Sequence, residues 1–164
     1  MQSHWRTLTL GVVVALAGVL GAEIVNLSAQ ATDPRIGTWK LNAAKSKYDP
    51  GPPPQSLTVK VEPAGQGEKV TAEFVNADGT RATTVYTANF DGKDSPLTGS
   101  QLANTVALKR TDARTTVRTD KKDGKVVQTL TRVVAQDGKT MTVTVKGTNA
   151  QGQAVNNVIV FDKQ

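Results

Sequence analysis

The sequence predicts an all-β protein in which an antiparallel, up-and-down meander of about 8–10 strands closes into a barrel. Short runs of alternating apolar and polar residues fill residues 36–162, and this period of two is typical of strands with one buried face. Four Asp-Gly pairs stand between such runs, and Asp-Gly favours a β-hairpin because a type I′ turn needs two residues with positive φ. No sustained helical period follows residue 32, where only residues 43–47 could form one helical turn.

The first half of the predicted sheet has strands near residues 36–41, 56–62, 69–76, 81–90 and 95–98. Apolar side chains share one face in three of these strands: Leu57, Val59 and Val61; Val70, Ala72 and Phe74; Tyr86, Ala88 and Phe90. Three glutamates fall on the opposite, wet faces or at a turn: Glu62, Glu68 and Glu73. The proline-rich residues 50–54 form a stiff extended linker between the first two strands, or a simple loop spacer.

The second half of the predicted sheet has strands near residues 105–111, 114–121, 125–135, 140–148 and 155–162. In the fourth of these, Met141, Val143 and Val145 share the apolar face. Nearly all connections are short, so consecutive strands should pair, and closure into a barrel would remove both sheet edges. An open sandwich is the alternative architecture, although Greek-key sandwiches need some long crossing connections.

The first 31 residues have the pattern of a secretory signal peptide. Arg6 precedes an uncharged, largely apolar run at residues 8–22, and the small-x-small tripeptide Ala29-Gln30-Ala31 follows. The predicted organisation is therefore a signal peptide at residues 1–31 and one barrel domain at residues 32–164. An uncleaved membrane anchor is the alternative, but the apolar run is shorter than the roughly 20 residues that a spanning helix needs. We expect a periplasmic or secreted protein without stable membrane insertion after processing.

The composition excludes several kinds of chemistry. The chain has no cysteine, and its single histidine, His4, lies in the predicted signal peptide. The domain would therefore lack disulfides, thiolate or imidazole metal ligands, a cysteine nucleophile and a Ser-His-Asp relay. The aspartates of the four Asp-Gly pairs are explained as turn residues, and no carboxylate pair converges elsewhere. We expect no enzyme activity, no cofactor and no metal site.

A resemblance to lipocalins begins at Gly37-Thr38-Trp39, on the first predicted strand. A Gly-x-Trp there, followed by a meander barrel, resembles the lipocalin superfamily. The resemblance implies that Trp39 closes one end of the barrel and that an arginine from a late strand, Arg132 or Arg118, packs across its ring. The segments at residues 37–48, 86–93 and 147–152 look similar to uncharacterised lipocalin-like exported proteins of bacteria.

The resemblance implies binding of small apolar molecules. We therefore expect an exported protein that binds or carries a small hydrophobic molecule in the bacterial envelope. The candidate ligand-binding residues are Trp39, Phe74, Tyr86, Phe90, Arg132 and Met141. The aromatic residues and the methionine would line the interior, or simply fill it as ordinary core. Arg132 would cover Trp39, bind a ligand carboxylate or lie on the surface.

A basic segment at residues 109–125 supports an alternative function. It holds seven Lys and Arg residues against three aspartates. The strand parity that Arg110, Arg114 and Arg118 share with Asp120 predicts an outer face. The alternative is therefore a non-catalytic interaction or structural module whose basic strands contact an anionic envelope surface, or simply a solvated face with paired charges. Nucleic acid is not an expected partner because no aromatic residues are interleaved with the cations.

Overall fold

The computed structural model describes residues 33–164, so the predicted signal peptide at residues 1–31 lies outside the described part of the chain. One short 3₁₀ turn, Ala43–Lys45, and ten strands make up the regular structure of this part. The strands are β1 (Gly37–Leu41), β2 (Ser56–Ala64), β3 (Gly67–Val75), β4 (Arg81–Asn89), β5 (Asp91–Thr98), β6 (Thr105–Arg110), β7 (Thr115–Lys122), β8 (Lys125–Val134), β9 (Thr140–Thr148) and β10 (Ala154–Lys163). No helix within residues 33–164 is long and apolar enough to cross a membrane.

The ten strands form one closed antiparallel barrel in which every strand pairs with its neighbours along the chain. Closure comes from β1, which pairs with β2 on one side and with β10 on the other. Trp39 is thereby opposite Val59 in β2 and Lys163 in β10. The predicted up-and-down meander barrel is confirmed, and the open sandwich is excluded.

The hairpin turns use glycine as predicted, but only one of the Asp-Gly pairs has the predicted geometry. Asp123 (φ 49°) and Gly124 (φ 79°) both have positive φ, as a type I′ turn requires. In the other three pairs only the glycine has a positive φ. There the aspartate side chain accepts a hydrogen bond from a backbone N–H two residues later, as Asp78 does from Thr80 at 2.9 Å. These aspartates stabilise their turns as side-chain acceptors.

The alternating pattern places the apolar faces of the strands inside the barrel. Fully buried side chains from β1, β2, β6, β8 and β9 include Trp39, Val61, Val106, Leu108, Val134 and Met141. Strand β7 is different, because its inward face is polar: Thr116 is 1% exposed and Asp120 is 3% exposed. The outer face predicted for β7 is therefore wrong at Asp120 and at Arg118, since the Arg118 side chain has the same strand parity as Thr116 and lines the cavity with it.

Candidate ligand-binding site

The barrel encloses a cavity of about 590 Å³. Most of its wall is apolar and comes from strands at both ends of the chain, β2, β3, β9 and β10. The apolar lining residues of these strands are Leu57, Val59, Val70, Ala72, Phe74, Met141, Val143, Val145, Ile159 and Phe161. Since these side chains alternate with outward polar ones, the period of two in the sequence is what builds the wall.

The mouth of the cavity lies at one end of the barrel. The β1–β2 connection contributes Tyr48, Pro52 and Pro54, and the β3–β4 turn contributes Asn76 to Asp78. The proline-rich stretch thus forms part of the rim, in addition to spanning the distance between two strands. The hydroxyl of Tyr48 is buried there without a hydrogen-bond partner among the described residues, and burial raises its pKa to about 12.

A polar cluster occupies the wall formed by β3, β4, β7 and β8. Arg132 is 8% exposed, and its Nε donates a hydrogen bond to Oγ1 of Thr116 at 2.9 Å. Its Nη2 donates to Oε1 of Glu68, which also accepts a hydrogen bond from the Tyr86 hydroxyl at 3.0 Å. Burial lowers the pKa of Arg132, but Tyr86 and the Glu68 carboxylate outweigh that effect and raise the pKa above its usual value. Arg132 is therefore a cation that has the Glu68 carboxylate as its partner.

A second ion pair lies beside the first. Arg118 donates from Nε and Nη2 to the two carboxylate oxygens of Asp120, both at 2.7 Å. Its guanidinium carbon lies 5.2 Å from the centroid of the Tyr86 ring. Burial lowers the pKa of Arg118, but Asp120 and Tyr86 outweigh it and raise the pKa. Two arginines and two carboxylates thus share one side of the barrel interior.

Four of the six predicted site residues line the cavity: Phe74, Tyr86, Arg132 and Met141. Trp39 and Phe90 do not. Trp39 is completely buried, and its Nε1 donates to the carbonyl oxygen of Arg35 at 2.8 Å. The guanidinium carbons of Arg35 and Arg110 both lie over the ring of Phe90, at 4.6 Å and 4.2 Å from its centroid.

These two aromatic residues belong to the end of the barrel that lies away from the mouth. Phe90 follows the last residue of β4, whose first residue leaves the turn at the mouth. Asp33 pairs with both Arg35 and Arg110, so the segment before β1 is fixed across this end. Phe90 therefore lies outside the cavity lining, with the guanidinium groups of Arg35 and Arg110 over its ring.

The predicted stacking of Arg132 on Trp39 is also wrong. The cation over the Trp39 ring is Lys163, whose Nζ lies 5.0 Å from the ring centroid. The reason is register: β10 pairs directly with β1 and sets Lys163 opposite Trp39, while the side chain of Arg132 reaches Glu68 and Thr116. Arg118, the other candidate for the ring, is held by Asp120.

The residues that sequence reasoning missed are the charged and hydroxyl groups of the interior. The sequence analysis predicts a wet face or a turn for Glu68, yet the residue is 1% exposed inside the barrel. The signal was present, because Glu68 is in phase with Val70, Ala72 and Phe74 on the apolar face of β3. Thr116 and Asp120 gave no such signal, because β7 has no apolar residue in phase with them.

Comparison with solved structures supports the fold. The barrel is similar to the crystal structure of zebrafish ileal bile acid-binding protein complexed with cholic acid, with a TM-score of 0.50 and 16% sequence identity. The match covers 80% of this chain and 99% of that chain. No protein-family model matches the sequence, and no curated protein matches it. Fold and cavity together define a ten-stranded antiparallel β-barrel with an internal space for a small molecule.

Proposed function

We propose that this protein binds a small hydrophobic molecule inside its barrel and carries it as an exported, non-catalytic protein of the bacterial envelope. The observation that carries the proposal is the cavity of about 590 Å³ with a mainly apolar wall. Ligand sites of drug-sized molecules are concave, mostly apolar and about 300–1,000 Å³ in volume. The protein with the similar barrel is named for binding bile acid, which is a small amphipathic molecule.

The charged residues of the cavity support binding over catalysis. General acid–base chemistry needs a group that is free to take or give a proton near neutral pH. Here Arg132 and Arg118 are ion-paired to Glu68 and Asp120. Such pairs fix the shape of the wall and leave the apolar surface to contact the ligand.

The alternative, a packed module that contacts anionic surfaces through a basic face, is less well supported. A packed barrel would fill its interior with side chains, whereas this one keeps a large internal volume. Arg118, one of the cations assigned to that face, is turned into the cavity. Exposed cations such as Arg114 and Lys122 remain on the outside.

The function is tested by filling the cavity. Ala72, a lining residue of β3, is replaced by Phe, and Thr71, its outward-facing neighbour on the same strand, is replaced by Phe as the matched control. We expect the neutral dye Nile red to become fluorescent with wild type and Thr71→Phe, and to lose at least tenfold in affinity with Ala72→Phe. Equal binding by all three proteins, or none by wild type, would rule out a ligand site in the barrel.

Native mass spectrometry of the protein purified from a bacterial host tests the carrier and export proposals together. We expect a co-purified apolar molecule in wild type and a polypeptide mass that corresponds to cleavage after Ala31. Adsorption of the protein to anionic vesicles that weakens with salt, with no bound molecule, would favour the alternative instead.

A further inference from the structure

We infer that the cavity selects an uncharged ligand with a hydroxyl-type polar end over an ionised carboxylate ligand of the same length. This inference rests on the proposed function, and it specifies the chemistry of the ligand. It follows from the charges that are already inside the barrel and from the neutral polar groups that surround them.

Each inward arginine is already neutralised by a carboxylate of the protein. Asp120 holds Arg118 with two hydrogen bonds of 2.7 Å, in the bidentate geometry that a ligand carboxylate would otherwise adopt. Glu68 holds Arg132 through Nη2, and Thr116 accepts from Nε. The Nε and Nη2 donors of both arginines, the edge that would bind a ligand carboxylate side-on, are therefore occupied by the protein itself.

An anionic ligand would add an unbalanced charge to this interior. The two arginines and two carboxylates sum to zero, and Glu68 is 1% exposed. Its second oxygen, Oε2, is buried with no hydrogen-bond partner among the described residues. Because Glu68 and Asp120 already balance the two arginines, a ligand carboxylate would be an additional buried charge without a partner, which is strongly unfavourable.

Neutral polar side chains on the cavity wall can bind a hydroxyl group. Gln128 lines the cavity, and its Nε2 donates to the carbonyl oxygen of Thr148 at 2.8 Å, which leaves its Oε1 as an acceptor. Thr84 and Thr116 add hydroxyl groups to the lining. A ligand with an alcohol end gains hydrogen bonds there without changing the charge of the interior.

The experiment compares dodecanol with dodecanoate, two probes of equal chain length, as competitors of Nile red at pH 8. Wild type should bind dodecanol at least about tenfold more tightly than dodecanoate. Glu68→Gln keeps the side-chain shape and one acceptor oxygen for Arg132 and Tyr86, but it leaves Arg132 without its counter-charge. We expect this variant to bind dodecanoate about tenfold more tightly than wild type does, with the affinity for dodecanol changed less than threefold.

Two further variants complete the test. Glu62→Gln removes the same charge from an exposed position on β2 and should leave the alcohol-to-acid ratio at its wild-type value. Asp120→Asn releases Arg118 and should shift the ratio in the same direction as Glu68→Gln, which keeps the test decisive if one variant does not fold. Circular dichroism checks folding.

The outcomes separate this inference from the proposed function. If dodecanoate binds wild type as tightly as dodecanol, the preference for a neutral ligand is overturned. If neither interior variant changes the ratio, the assignment of that preference to the interior ion pairs is overturned. Binding in the barrel stands in both cases. If neither probe nor Nile red binds wild type, the proposed function and this inference both fail.

Discussion

The two tyrosines of the chain face the same cavity from different depths. Tyr48 lies at the mouth and Tyr86 in the polar cluster. Burial raises the pKa of each to about 12, from an ordinary value of 10.0. For Tyr86 the nearby arginines oppose this rise and Glu68 adds to it. Both hydroxyls therefore stay protonated over the whole range in which most proteins are handled.

This shift predicts a loss of stability in strong alkali. Because the folded state holds the Tyr86 proton to about pH 12 and the unfolded state releases it near 10, the contribution of Tyr86 is complete below pH 10 and is lost as the pH rises to 12. Ultraviolet absorbance should show tyrosinate forming near pH 12 in the native protein and near pH 10 in urea. The unfolding free energy of Tyr86→Phe should fall less steeply between these values than that of wild type. Native tyrosines that titrate near pH 10 would contradict the buried positions.

Single residues also show why the site was only partly predictable. Phe74 and Met141 were found because each continues an apolar alternation within its own strand. The pair between Glu68 and Arg132 joins residues 64 positions apart, and its existence depends on which strands close the barrel. Sequence periodicity assigns a side chain to a face, but it does not identify the charge that lies opposite across an interior.

At the scale of one strand, β3 depends on the absence of a side chain at its first residue. A Cβ built on Gly67 would lie 1.8 Å from the carbonyl oxygen of Ala88 in β4, although Gly67 has an ordinary negative or extended φ. The close approach of the two backbones sets the position of the next residue, Glu68. Gly65, in the preceding turn, has a φ of 55° but open space around it.

Substitution by alanine should lower the unfolding free energy by different amounts at these two glycines. Gly65→Ala should destabilise the protein by about 1 kcal/mol, the cost of a left-handed backbone for a residue with a side chain. Gly67→Ala should cost at least twice as much, because β3 and β4 must separate. Urea unfolding of both variants measures the difference. Equal losses of stability would show that the β3–β4 contact is adaptable.

The strands themselves were more predictable than their ends. All ten strands lie at predicted places, since each hairpin glycine and each alternating run is a local signal. Strand β5 begins at Asp91, earlier than the predicted residue 95, because a register shift between Asp91 and Asp94 lets its first half pair with β6. Such irregularities depend on the neighbouring strand, so the pattern of β5 alone does not contain them.

At the scale of the whole molecule, the first and last strands are neighbours. Strand β1 pairs with β10, and the backbone N–H of Gln164 donates to the carbonyl oxygen of Thr38 at 2.9 Å. The ten strands therefore form a ring of ten neighbouring pairs. Nine of these pairs are also consecutive along the chain, and the tenth, β10 with β1, is where the chain has its break. Any exposed hairpin turn could serve as the break instead.

The ring predicts that a circular permutant will fold. Joining residue 164 to residue 33 through a short glycine-rich linker, with new ends between Asp123 and Gly124, should keep the β-sheet circular dichroism spectrum and Nile red binding. A permutant opened between Gln128 and Thr129, inside β8, should lose both, because the cut removes a strand that pairs on both sides. If the permutant opened at Asp123 does not fold and the one opened inside β8 does, the closed ring of strand pairs is contradicted.

Because β1 pairs with β10, the barrel cannot close until the last of its ten strands has been synthesised. Of the ten strands, β1 is synthesised first, and its second partner, β10, is synthesised last. Until β10 arrives, β1 and β9 are open edges that can pair with other chains.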